Sequence, residues 1–144
     1  MGMHVVPDTS VVIKWYRQGE NLTGQALALR EGYLDGQIEL SVPTLLGYEL
    51  ANVLRYKEHL ATDQVEEAVQ SLFDMGLEWV PISASTMRRA VVIARESGAT
   101  VYDATFAAVA ESLHAVFVTA DERLVRRLAA WPFVLFLGDI EIGE

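Results

Sequence analysis

The sequence predicts an α/β fold, a three-layer sandwich around a central, mainly parallel, twisted sheet of about five strands. First, short runs rich in β-branched or aromatic residues show little polar alternation, as in parallel strands covered on both faces. Second, segments with helical periodicity lie between these runs, and that alternation favours a parallel sheet. Third, no repeat, low-complexity stretch or linker divides the chain. We therefore expect one domain over residues 1–144.

The predicted elements follow one another in a regular order. The strands are His4–Pro7, Ile38–Val42, Trp79–Ile82, Ala115–Thr119 and Phe133–Leu137. The helices are a short one after Ser10, then Thr23–Leu34, Pro43–His59, Thr62–Met75, Ser85–Ser97, Tyr102–His114 and Asp121–Ala129. Local signals support several ends: Thr62 suits an N-cap, Pro43 suits a first helical turn, and Gly76 and Gly98 suit helix ends.

Composition limits the classes of protein that the chain can represent. With 144 residues, of which 51% are hydrophobic, it can bury a full core. The absence of cysteine excludes disulfides and thiolate metal sites. Apolar runs are too short to span a bilayer and no signal peptide is evident, so we expect a cytoplasmic protein without membrane contact. The net charge of −9 disfavours a wide basic surface for nucleic acid, but it permits a small site that uses bound cations.

Four carboxylates begin or interrupt apolar stretches, where a soluble fold rarely places lone charges: Asp8, Glu49, Asp103 and Asp121. After Asp103 and Asp121, the positions three, four and seven residues later are apolar and share one helical face. Asp63 is followed at the same spacing by polar residues, as on a solvated face. Because a buried carboxylate must be paired, hydrogen-bonded or bound to a metal, these four acids indicate a metal site.

The predicted topology brings the four acids toward one edge of the sheet. Asp8 and Asp121 directly follow strands, and the carboxyl ends of parallel strands are where open α/β sheets bind ligands. Glu49 and Asp103 lie in early turns of helices that can lean over the same edge. Unit charges ~4 Å apart interact by about 4 kcal/mol at an intermediate dielectric, so such a cluster needs cations. Oxygen ligands alone select hard ions such as Mg²⁺ or Mn²⁺.

Each acid also has an ordinary structural interpretation. Asp103 and Asp121 could be N-caps, where free N–H groups and the helix dipole favour a carboxylate, and Asp8 could be a turn residue. Ser10 also suits a cap. Capping does not explain Glu49, which lies within a helix on its apolar face. The four acids together therefore favour the metal site.

Four short motifs, taken in order, resemble the PIN-domain ribonucleases and in particular the VapC-type toxins of type II toxin–antitoxin pairs. The similarity covers nearly the whole chain. The motifs are Val5-Val6-Pro7-Asp8-Thr9-Ser10, Tyr48-Glu49-Leu50-Ala51-Asn52-Val53-Leu54, Tyr102-Asp103-Ala104 and Thr119-Ala120-Asp121-Glu122-Arg123-Leu124. The resemblance implies a Mg²⁺- or Mn²⁺-dependent endoribonuclease whose acidic site is formed by Asp8, Glu49, Asp103 and Asp121.

Within that site, Asp8, Asp103 and Asp121 are the expected direct or water-mediated metal ligands. Glu49 is either a further ligand or the group that orients and deprotonates the attacking water. Supporting or phosphate-contacting roles are expected for four further residues: Ser10, Asn52, Thr119 and Arg123. Asn52 lies three positions after Glu49, Ser10 and Thr119 match hydroxyl positions of the family, and Arg123 is close enough in sequence to Asp121 to meet a phosphate or a partner's acid.

The resemblance also implies partners: an RNA substrate, a cognate antitoxin and a second copy of the chain in a homodimer. A phosphoacceptor receiver domain would require a Lys after the last strand, whereas the chain has only Lys14 and Lys57. A dehalogenase-like phosphatase would have a second Asp two positions after Asp8, where Ser10 stands. A non-catalytic PIN-like protein that acts through protein partners remains the alternative.

Overall fold

The computed structural model describes residues 2–17, 19–57 and 59–142. The strands are β1 Met3–Pro7, β2 Ile38–Pro43, β3 Glu78–Val80, β4 Val116–Thr119 and β5 Val134–Phe136. The α-helices are α1 Thr9–Val12, α2 Thr23–Leu34, α3 Leu45–Arg55, α4 Thr62–Asp74, α5 Ala84–Ser97, α6 Val101–Ser112 and α7 Glu122–Arg127. Short 3₁₀ segments span Ile13–Trp15 and Leu137–Asp139.

The strands form one parallel sheet in the order β3-β2-β1-β4-β5. Consecutive strand residues point to opposite faces. In β1, Val5 and Val6 are both fully buried, and in β4 the same holds for Phe117 and Val118. Both faces of the sheet are therefore covered, as the predicted three-layer sandwich requires.

All predicted elements are present, and α2 has the predicted bounds Thr23–Leu34. Pro43 was assigned wrongly, because it ends β2 and pairs with Val80, and α3 begins only at Leu45. Proline suits the end of a strand as well as a first helical turn, since a fixed φ is compatible with both.

Of two helix ends predicted from local sequence signals, one differs by a residue in the structure and the other is as predicted. Thr62 is the first residue of α4 and not its N-cap; the cap position is Ala61, whose N–H donates to Gln64 Oε1 at 2.7 Å. Gly98 ends α5 with a φ of +81°, in the left-handed region that glycine adopts without strain. The predicted glycine end is thus confirmed there.

The sheet order places a switch point between β1 and β4, because the chain proceeds from β1 to β2 on one side and later to β4 on the other. Helix α6 contacts β1, β2 and β4, and its residues 104–110 are all buried. These contacts fix the start of α6 relative to the carboxyl ends of the central strands. No helix among the described residues is long and apolar enough to cross a membrane.

Candidate active site

Asp8 lies at the switch point, directly after β1. Its N–H donates to the Val118 carbonyl of β4 at 3.2 Å, which continues the ladder between the two strands. Its side chain is the N-cap of α1, where Oδ1 accepts from Val11 N at 3.3 Å. The same oxygen accepts from Ser10 Oγ at 2.5 Å, and the residue is 5% exposed. Asp8 is therefore a buried, oriented carboxylate.

Two hydroxyls connect the ends of β1 and β4. Ser10 Oγ accepts from Ala120 N at 2.9 Å and lies 3.3 Å from Thr119 Oγ1. Thr119 Oγ1 in turn accepts from Asp121 N at 3.1 Å. The turn that carries Asp8 is thereby joined to the turn that carries Asp121. Ser10 and Thr119 both lie where the sequence analysis expected supporting residues.

Glu49 approaches from α3, where it is half-buried. Its Oε1 accepts from Thr9 Oγ1 at 2.5 Å, across 40 residues of sequence. Burial raises the pKa of Glu49, the Thr9 hydroxyl lowers it, and the charge of Asp103 raises it further. Thr9 is a site residue that the sequence analysis missed. Its position next to Asp8 was the only signal, and no spacing rule links it to Glu49.

Asp103 and Asp121 occupy different positions at their helix starts. Asp121 is the N-cap of α7, and its Oδ1 accepts from Leu124 N at 3.2 Å. The N-cap of α6 is instead Thr100, whose Oγ1 accepts from Asp103 N at 3.0 Å. An N-cap hydrogen bond therefore accounts for the position of Asp121, which is exposed, against the expectation that all four acids are buried. Asp103 is half-buried in the first turn of α6, where the helix dipole also favours a carboxylate.

Electrostatic coupling shows that the acids lie near one another. Burial is the main reason why the pKa of Asp8 is raised to about 7, and the hydroxyls of Ser10 and Thr119 offset only part of this effect. The charge of Asp103 adds to the rise at Asp8. The pKa of Asp103 is itself raised, first by burial and then by the charge of Asp121. Asp103 thus interacts electrostatically with all three of the other acids.

Arg127 of α7 is a second residue that the sequence analysis left out of the site. Its Nη1 donates to the Gly98 carbonyl at 2.7 Å, and its charge lowers the pKa of Asp103. The contact fastens α7 to the turn between α5 and α6. Neither the helical period nor the motif indicates it, because it depends on how two distant turns meet.

Asn52 and Arg123, two of the predicted supporting residues, are exposed. Within the described part of the chain, neither forms a side-chain hydrogen bond or ion pair with an acid of the site. Both sit beside a site residue, Asn52 on the helix of Glu49 and Arg123 on the helix that Asp121 caps. Their roles stay predictions.

The donor set fits a hard divalent cation in its chemistry. The four acids supply only oxygen ligands, and none of them forms an ion pair with Lys, Arg or His among the described residues. In that same part of the chain, no three metal-ligating side chains are close enough together to enclose an ion. This spacing is compatible with Mg²⁺, which keeps several waters and takes one or two protein carboxylates plus substrate phosphates.

The family model of the PIN domain matches residues 5–130. The chain belongs to the PIN domain family, as the motif resemblance predicted. A search of curated proteins found no match.

Solved structures give the same fold. A toxin–antitoxin complex from Klebsiella pneumoniae contains a chain with 17% identity and a TM-score of 0.69, over 94% of this chain and 99% of that one. FitAcB from Neisseria gonorrhoeae is 18% identical with a TM-score of 0.64, over 94% of this chain and 99% of that one. The toxin VapC20 from Mycobacterium tuberculosis is described as cleaving the sarcin–ricin loop. It is 16% identical with a TM-score of 0.65, over 88% of this chain and 95% of that one. At these identities the likeness concerns the fold.

Proposed function

We propose that this chain is a Mg²⁺- or Mn²⁺-dependent endoribonuclease that acts as the toxin of a toxin–antitoxin pair. One observation carries the proposal: four electrostatically coupled carboxylates lie at the switch point of a parallel sheet, with no protein cation paired to them in the described residues. Perturbed acids at such a point are typical of a catalytic site. The family match and the fold of the solved toxins support this assignment.

In this proposal, Asp8, Asp103 and Asp121 hold the metal ion, either directly or through its bound waters. A bound Mg²⁺ or Mn²⁺ would supply Lewis acidity at the phosphoryl oxygens and a water of lowered pKa. Ser10 keeps the Asp8 carboxylate in one orientation through the 2.5 Å hydrogen bond. Ser10 also accepts from Ala120 N and lies beside Thr119 Oγ1, so the turns that carry Asp8 and Asp121 keep a fixed separation, while Thr119 orients the backbone of Asp121.

Glu49 is proposed either as a further ligand or as the group that orients the attacking water and accepts its proton. A carboxylate whose pKa is raised by burial is a better proton acceptor at neutral pH than an ordinary one. The Thr9 hydroxyl occupies one oxygen of Glu49 and leaves the other for the water. Arg123 is the proposed phosphate contact, and Asn52 is proposed to support Glu49.

The proposed regulator is a cognate antitoxin that covers the acidic site. Toxin–antitoxin complexes are among the solved structures that share the fold. Between α3 and α4 lies a groove of about 980 Å³ that is lined by Phe73 as well as by Asp63, Glu66 and Glu67. That mixture of apolar and acidic walls suits a basic, amphipathic segment. A homodimer is the proposed assembly.

A second candidate function is a non-catalytic PIN-like protein that binds protein partners. One observation favours it: Asp8 and Asp121 each cap a helix, a structural role that needs no metal ion. The two functions differ in what a carboxylate must do, because only catalysis requires the negative charge of Asp8.

The deciding experiment is a cleavage assay on structured and single-stranded RNA with Mn²⁺, comparing the parent with Asp8→Asn. Asparagine keeps the shape of Asp8 and can still accept from Val11 N and Ser10 Oγ. We expect RNA cleavage by the parent and none by the variant. Cleavage by neither protein would favour the binding function, and equal cleavage by both would mean that the charge of Asp8 is not required and that the four-acid site is wrong.

A further inference from the structure

Lys14 is a nearly buried cation that the proposed chemistry leaves without a role. It lies in the 3₁₀ segment after α1, and its side chain is 10% exposed. Its Nζ donates to Glu20 Oε1 at 3.1 Å. An ammonium has three donors, and within the described residues Glu20 takes one of them. As far as the described residues are concerned, two donors are thus available for another acceptor.

Glu20 is shared between two cations. Its other oxygen, Oε2, lies 3.0 Å from Arg17 Nη1. One carboxylate therefore faces one ammonium and one guanidinium, which leaves a local charge of about +1 in a chain whose net charge is −9. In such an acidic chain this unbalanced positive charge is a distinct local feature.

The same cations line a pocket of about 360 Å³. Lys14 and Arg17 are its charged lining residues, and the other lining residues are Trp15, Tyr16, Gly19, Thr23 and Leu27. An ammonium and a guanidinium together can bind a phosphate ester as well as a carboxylate, and RNA supplies phosphate esters. A nearly buried Lys that opens into a pocket holds its donors in place better than a free surface Lys does, because its side chain has already lost its freedom.

The pocket is close to the acidic site. Lys14 lies six residues after Asp8 on one continuous stretch, α1 followed by the 3₁₀ segment. Helical rises of ~1.5 to ~2 Å per residue place the two positions about 10 Å apart. A nucleic-acid strand rises ~3.4 Å per nucleotide in a duplex and spans more when it is extended, so this distance corresponds to at most about three nucleotides.

We propose that Lys14 and Arg17 form a subsite for a backbone phosphate of the RNA, a few nucleotides from the bond that is cleaved, and that Glu20 limits its charge. This inference rests on the proposed nuclease function. It assigns to this pocket the electrostatic attraction that the carboxylates cannot give.

The test measures binding of a short fluorescent single-stranded RNA by anisotropy over a range of salt, in an Asp8→Asn background with Mn²⁺ so that the RNA stays intact. Lys14→Gln removes the charge while Arg17 still pairs with Glu20. We expect weaker binding and a slope of log K against log salt that is less steep by about 0.7, the value for one phosphate contact on a single strand. Lys14→Arg should keep the slope.

Glu20→Gln should change RNA binding in the opposite direction to Lys14→Gln. It frees both cations, so binding should become tighter and the salt dependence steeper. A purely structural ion pair predicts the reverse, because its loss destabilises the fold whichever partner is changed. Arg88→Gln is the matched control: Arg88 is exposed on α5, and the substitution changes the net charge by the same amount as Lys14→Gln. We expect no change of slope from it.

Two results would overturn the subsite. One is a Lys14→Gln slope equal to that of Arg88→Gln, and the other is weaker binding by Glu20→Gln. If Lys14→Gln does not fold, Glu20→Gln and Lys14→Arg still decide.

Inorganic phosphate tests the other source of the same chemistry. If it raises the melting temperature of the parent but not of Lys14→Gln, while RNA affinity is the same in both, the pocket binds free phosphate and the RNA assignment is wrong. The nuclease function fails separately, if the parent does not cleave RNA while the binding changes appear as expected.

Discussion

The carboxylates of this chain are treated in two different ways. Outside the site, Glu111 forms a two-point ion pair with Arg89, with distances of 2.6 and 3.0 Å, and Glu20 contacts Lys14 and Arg17. At the switch point, Asp8 and Glu49 instead accept hydrogen bonds from the hydroxyls of Ser10 and Thr9. A cation neutralises a carboxylate, whereas a hydroxyl orients it and leaves its charge. The difference indicates that the site reserves its charge for something that binds there.

The largest expected effect is on activity. Asp103→Asn or Asp121→Asn removes the charge that a Mg²⁺ ligand must supply. Asparagine can cap α7 about as well as Asp121 does, and α6 keeps its own cap, Thr100. Each variant should fold, yet RNA cleavage and any growth arrest on expression should fall by orders of magnitude. Glu111→Gln, which removes an ion-paired carboxylate instead, should cleave like the parent. If both Asp variants cleave RNA as the parent does, these residues are structural and the four-acid site is wrong.

The second prediction concerns stability against pH without metal. The pKa of Asp8 is raised from 3.8 to about 7, so between these values the folded chain binds a proton that the unfolded chain has lost. The free energy of unfolding should therefore fall as pH rises from about 4 through 7, by roughly 4 kcal/mol for a shift of that size. Urea unfolding of the parent and Asp8→Asn across this range measures it. In the variant, the free energy of unfolding should lose most of this dependence on pH. An equal dependence in the two proteins would contradict the raised pKa of Asp8.

The third prediction is stabilisation by metal. Only the folded chain assembles the carboxylates, so an ion that binds them raises stability, by about 2.7 kcal/mol at a concentration 100 times its Kd. Thermal unfolding with millimolar Mn²⁺ or Mg²⁺ should show a higher melting temperature for the parent and a smaller rise for Asp8→Asn. An unchanged melting temperature in the parent would contradict the proposal that the carboxylates bind a metal ion.

The sequence was sufficient for the architecture and for singling out four acids as candidates, because both depend on local periodicity, and the role of the acids stays a prediction. Alternation of apolar runs with helical patterns predicted every strand, and acids at strand ends predicted the edge where they meet. Pro43 was misplaced because a proline is equally compatible with a strand end and a helix start. Asn52 shows a limit of helical spacing: three positions turn it about 60° from Glu49, and that rotation carries it to the solvent.

Contacts between distant turns could not be predicted. Thr9 reaches Glu49 across 40 residues, and Arg127 reaches Gly98 across 29. Both contacts require β1, α3, α6 and α7 to be in their final positions, and no pattern within one segment encodes that geometry. The residues that orient the acids therefore emerge only from the tertiary structure, whereas the acids themselves are legible in the sequence.

The smallest effect separates orientation from charge. Thr9→Val keeps the shape of the side chain but removes the hydroxyl that donates to Glu49, and the loss of a partner that orients a ligand typically costs about 10-fold or more in activity. Thr9→Ser retains the donor and should recover most of the activity. We expect kcat to fall in Thr9→Val with little change in KM, since neither of the two roles proposed for Glu49, metal ligand or proton acceptor for the water, is a contact with RNA. Arg89→Gln, which breaks the exposed pair with Glu111, should leave kcat unchanged and alter stability by no more than about 1 kcal/mol. If Thr9→Val cleaves RNA at the parent's rate, the hydroxyl does not orient a working carboxylate, and the contrast between paired and unpaired acids would concern charge alone.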